Sequence, residues 1–152
     1  MMRITCMAVL WIACISSLVH ASDMDSVVLG VSSQLADGAT ALTVGNYDEG
    51  IRLTKLGLKS PRKPSQRSAA LSNLCAGFDG TAEYERALVH CTAALTINSR
   101  NWQAFNNRAI AHLGLGQLEA AEADISRAVA LNPKSKKLRR AQRAVRRRVH
   151  YR

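Results

Sequence analysis

Several things are missing from this chain of 152 residues. It has no glycine-rich phosphate loop, no nucleophile elbow and no His/Cys cluster at metal-ligand spacing, so the common sequence signs of nucleotide, acyl-transfer and metal chemistry are absent. Beyond the N-terminus, no apolar run is long enough to cross a bilayer. From Lys134 to Arg152 there is no acidic residue, against 10 Lys and Arg. Cysteine is scarce: apart from Cys6 and Cys14 near the start, only Cys75 and Cys91 occur. Charge is therefore uneven. Ser22 to Pro133 holds 10 Lys and Arg against 11 Asp and Glu, so the basic character belongs to one terminal segment.

The first residues combine a cation at Arg3, an apolar stretch from Ile4 to Leu18 and the small-residue pattern Val19-His20-Ala21. This layout predicts a secretory signal peptide over residues 1–21, cleaved after Ala21. An N-terminal membrane anchor competes with it, but Thr5, Ser16 and Ser17 interrupt a stretch already short for a bilayer. Cleavage places the mature chain in the periplasm or outside the cell, where thiols are usually oxidised. Residues 22–152 are then one domain of ordinary size.

What is present is a segment that returns 34 positions later. Ala70, Asn73, Gly80, Glu85, Ala87, Ala94 and Asn98 recur as Ala104, Asn107, Gly114, Glu119, Ala121, Ala128 and Asn132. Apolar residues within each copy fall at helical spacing: Ala70, Leu71, Leu74 and Phe78, then Tyr84, Ala87, Leu88, Cys91, Ala94 and Leu95. Gly80 in one copy, and Gly114 with Gly116 in the other, sit where the chain must reverse. Pro133 follows the last helix of the second copy.

These residues resemble the tetratricopeptide repeat, a helix-turn-helix family of the same period. With Trp102 as position 1, the family pattern is met by Phe105, Ala109, Ala121, Ile125, Ala128 and Pro133. The copy from Ser68 departs from it at Ser99, Cys75 and Cys91. A weaker first copy places Gly45, Tyr47, Gly50 and Leu58 in register, with three extra residues in the linker that follows. Prolines in that linker argue against a helix there. Gly50 and Gly57 argue for looser packing of the first hairpin.

The resemblance implies an all-α, right-handed solenoid of three hairpins, over about 31–61, 68–99 and 102–133, after a short segment at 22–30. Residues 134–152 would add a capping helix. Leu138, Ala141, Val145 and Val149 form one stripe, and Arg139, Arg140, Arg143, Arg146 and Arg147 occupy the remaining surface.

The family's binding face is built from the first helix of each pair. Carried over by position, it would comprise Ser72, Asn73, Ala76 and Asp79, then Gln103, Asn106, Asn107, Ile110 and Leu113. Some members clamp a terminal carboxylate with lysines and asparagines. Leu35 and Ala39 occupy the corresponding positions of the first copy, so that clamp is not supported. Cys75 and Cys91 lie equally far from the reversal, at positions that face the partner helix in the family. A disulfide and a pair of buried, unbonded thiols both fit.

No cofactor or metal and no enzymatic activity are expected. His90 beside Cys91 does not make a thiol–base pair, because adjacent helical residues do not face each other. His112 stands at a core position of the family, which implies packing. The expected function is that of an exported scaffold binding another protein or peptide. The alternative is an electrostatic adaptor whose arginine-rich helix docks an anionic membrane, an envelope polymer or an acidic protein. Export, and the lack of aromatics in that helix before Tyr151, argue against nucleic acid.

Overall fold

The computed structural model describes residues 22–60 and 63–150, with side chains from residue 33 onward. The expected signal peptide, 1–21, lies outside the described residues. Those residues form seven helices: α1 Ser22–Thr43, α2 Tyr47–Gly57, α3 Pro64–Gly80, α4 Tyr84–Ile97, α5 Trp102–Gly114, α6 Leu118–Leu131 and α7 Lys136–His150. The segment expected at 22–30 as a separate element is the first part of α1. Consecutive helices pair into hairpins and each pair stacks on the next, giving an all-helical solenoid.

The linker prolines do not exclude a helix. Pro64 begins α3 at its first turn, where the missing N–H would be unpaired in any residue and the fixed φ suits the helix. Gln66 Oε1 accepts from the Lys63 N–H at 3.3 Å, so the helix starts four residues before the repeat at Ser68.

The same interior position recurs along the stack. Ala70, Ala104 and Leu138 are buried at steps of 34 residues, as are Gly77, Ala111 and Val145. Caps recur too: Asn101 Oδ1 accepts from Ala104 N at 3.1 Å and Ser135 Oγ from Leu138 N at 3.3 Å. Thus α7 packs on α6 in the phase of α3 and α5.

Of the glycines expected at the reversals, Gly116 lies in one, and Gly80 and Gly114 do not. Gly80 and Gly114 are the last residues of α3 and α5, not reversal points. A Cβ there would strike the rings of Tyr47 and Tyr84, so their bareness lets each ring cross from the preceding hairpin. The reversal is made at Gly45, Ala82 and Gly116, all with positive φ. Ala82 holds φ 59° in a region that disfavours side chains. Gly50 and Gly57 tighten the first hairpin instead of loosening it. Leu42 and Leu35 occupy the space a Cβ would take. Leu35 is therefore turned toward α2.

The core forms two clusters. One joins α2 to α5 through Ile51, Leu74, Cys75, Phe78, Ala87, Cys91, Ala94, Leu95, Ala104 and Ala111. The other joins α5 to α7 through Ala109, Ala121, Ile125, Ala128, Leu138 and Val145. Alanine at so many crossings lets backbones approach closely.

Candidate functional site

The joint between the second and third hairpins is polar. Ser68, at 0 % exposure, donates to Ala94 O at 2.8 Å, and Asn101 Nδ2 donates to Ser68 Oγ at 2.9 Å. Asn107 adds a second tie, donating to Ser72 O at 3.0 Å and Ser72 Oγ at 3.3 Å. Its Oδ1 accepts from Asn106 Nδ2 at 3.2 Å. Ser72 and Asn107, placed on the binding face by family position, thus join neighbouring helices to each other. The burial of Ser72, at 2 %, follows from that contact.

The remaining members of the row are more open. Gln103 is exposed, Asn73, Ala76 and Asn106 are half-buried, and Ile110 is 44 % exposed. Leu113 packs against the second core cluster. A polar recess of about 190 Å³ opens beside this row, lined by Ser65, Asn73, Asn98, Arg100, Asn101 and Gln103 among others. Ser65 and the α4–α5 turn are not among the positions that the helical repeat assigns to this face. The run Asn98-Ser99-Arg100-Asn101 was the available signal, since four polar residues between helices are where side-chain caps gather.

Asp79 ends the row on α3. Its Oδ1 is buried with no hydrogen-bond partner among the described residues, and Oδ2 lies 3.9 Å from Cys75 Sγ. Burial pushes the carboxyl up to about 8, because desolvation penalises the charged form. Near neutrality this position therefore carries little negative charge.

Cys75 and Cys91 are fully buried, with Cα atoms 5.3 Å apart and the sulfurs within bonding distance. His90 does not address them. Its ring stacks on Phe78 at 5.2 Å between centroids, and burial, Lys55 and Arg86 lower its pKa. In the next hairpin Arg108 makes a two-pronged contact to Asp124 at 2.7 and 2.8 Å, which raises the guanidinium pKa. His112 lies 3.6 Å from the same carboxylate and 2.6 Å from Gln117 Oε1. These contacts hold hairpins closed. Among the described residues, no group of His, Cys, Asp and Glu could hold a metal ion.

On α7, Leu138 and Val145 are buried. Gln142 Nε2 donates to Ser126 Oγ at 3.0 Å, Arg146 pairs with Glu122 at 3.1 Å, and Arg139 donates to Pro133 O. Arg140, Arg143 and Arg147 are exposed and meet no acid among the described residues.

Stacked helical hairpins with this phase define the class: the fold is TPR-like. The Arabidopsis OM64 TPR domain superposes with a TM-score of 0.69 at 21 % identity, over 79 % of this chain and 97 % of that one. The first TPR of Spaghetti (RPAP3), bound to the HSP90 peptide SRMEEVD, gives 0.68 at 21 % identity, over 80 % and 94 %. A TPR-like protein from Chlorobium tepidum gives 0.66 at 20 % identity, over 80 % and 93 %. In sequence, the chain is 35 % identical over 88 residues to the photosystem I assembly protein Ycf3 of Synechococcus elongatus and of a second Synechococcus strain. That alignment takes in 58 % of this chain and 46 % of theirs, so the chain spans about half the length of the curated relatives it matches. No protein-family model matches the chain.

Proposed function

We propose that this chain is an exported, non-enzymatic scaffold that holds a segment of another protein on the concave face built by the first helices of its pairs. The observation that carries the reading is Ile110, a large apolar side chain 44 % exposed on α5. Exposed Gln103 and half-buried Asn106 stand on the same helix. An apolar anchor flanked by amides suits an extended peptide, whose backbone needs hydrogen bonds and whose side chains need a place to bury. Solved neighbours of the same fold hold peptides of HSP90 and HSP70, which supports a peptide as the kind of ligand. The N-terminal pattern of residues 1–21 supports export, and α7 serves as the cap of the stack. In an oxidising compartment Cys75 and Cys91 form a disulfide that staples the second hairpin.

The test pairs Ile110→Glu with Val89→Glu, a change at another exposed apolar residue, on α4. A photocrosslinker at Gln103 should capture a partner in native extract. Ile110→Glu should cut capture about tenfold, the equivalent of about 1.4 kcal/mol, and Val89→Glu should leave it unchanged. Equal effects would place the partner elsewhere. N-terminal sequencing of the mature protein should begin at Ser22, and alkylation without reduction should label no cysteine.

A further inference from the structure

Beyond peptide binding, we infer that the outer face of α7 is a docking surface for anionic phospholipid headgroups, on which the helix lies without inserting. At about 100° per residue, Lys136, Arg140, Arg143 and Arg147 fall within about 60° of one another, opposite Leu138 and Val145. They make a row roughly 16 Å long. Lys137 and Arg148 flank it, also exposed. No acidic side chain among the described residues pairs with any of these six.

The makeup of the row selects the partner. A protein interface needs an apolar or aromatic anchor at its centre. The exposed part of α7 offers no apolar residue larger than Ala144, so an acidic protein would find charge and nothing to bury. A sheet of lipid phosphates needs no such anchor. Each basic residue near an anionic surface contributes roughly a fivefold gain, and arginine forks suit phosphate oxygens. Among its described residues α7 has no Phe, Tyr or Trp on which a base would stack, and its one ring, His150, stands at the last position of the helix, away from the row.

Insertion is excluded by packing. An amphipathic helix enters the headgroup layer by burying its apolar stripe in lipid. Here Leu138 is 2 % and Val145 4 % exposed, already covered within the fold. The contact should therefore be electrostatic alone and fully reversed by salt.

The full chain is tested on vesicles of phosphatidylglycerol and of phosphatidylcholine, alongside a variant carrying Arg140→Glu, Arg143→Glu and Arg147→Glu. The apolar N-terminus and its Arg3 are shared by the variant, so the difference between the two chains isolates the charge of α7. Phosphatidylglycerol should bind the natural chain on the order of a hundredfold more tightly than the variant. High salt should remove that preference, and circular dichroism should show both chains equally helical. Equal binding to the two lipids, or a preference that survives the substitutions or high salt, overturns the inference. So does tighter binding of polyglutamate or duplex DNA than of phosphatidylglycerol vesicles at matched charge, which would reassign the surface.

Discussion

Replacing Asp79 with Asn should stabilise the protein, by an amount that depends on pH. The carboxyl is pushed by burial from an ordinary 3.8 to about 8, and one of its oxygens has no partner among the described residues. Between about pH 4 and 8 the unfolded chain has released this proton and the folded chain has kept it. The folded state then binds more protons, so this group makes stability fall as pH rises. The full displacement of about four pH units corresponds to about 6 kcal/mol at 1.36 kcal/mol per unit. Asp79 is only partly enclosed, so water relieves some of that cost, and about 3 kcal/mol is expected above pH 8. Urea unfolding of both chains across this range gives the difference directly, and contributions from His90 or other shared groups cancel. Asp79→Asn should be near neutral at pH 4, and its advantage should then climb, by no more than about 1.4 kcal/mol per pH unit, until it levels off at about 3 kcal/mol. Parallel pH profiles would refute the reasoning, as would an advantage largest in acid.

Ala82→Gly should add about 0.5–1 kcal/mol in thermal unfolding, since relief of the left-handed strain outweighs the greater freedom of the unfolded chain. Gly114→Ala should cost about 1–3 kcal/mol in the same assay, because the new methyl would sit 2.5 Å from the Tyr84 ring. Asn101→Ala should cost about 2 kcal/mol in urea, removing the α5 cap and leaving buried Ser68 with one partner fewer. Reducing agent should lower stability by about 3 kcal/mol if Cys75 and Cys91 are joined across their separation of 16 residues, and a Cys75→Ser variant should not respond to it.

The recurrence at Ala70 and Ala104 was enough to read the TPR-like stack, because a fixed period places the same face of each hairpin against its neighbour. Hydrogen bonding escaped the same logic. Asn73 and Asn107 share a position, yet Asn107 donates to Ser72 while Asn73 lines the recess. A period assigns a residue to a face and is silent about its partner. Asp79 was legible as a member of the row, but its burial depends on how closely α3 and α4 approach. In sequence Pro64 signals a break, because its place within a helix turn, which decides its effect, is not visible there. The lining by Arg100 and Asn98 went unread because it comes from a turn, where helical periodicity carries no information.

Each hairpin is closed by a different kind of contact, and this gives the stack three separate sensitivities. The first is held by leucines seated over bare glycines and answers mainly to temperature and denaturant. The second places two sulfurs together at its centre and, once these are linked, answers to reductant. The third is held by the Arg108–Asp124 ion pair and answers to ionic strength. A single change in surroundings would therefore loosen one hairpin before the others, and the order in which they open would record which change had occurred.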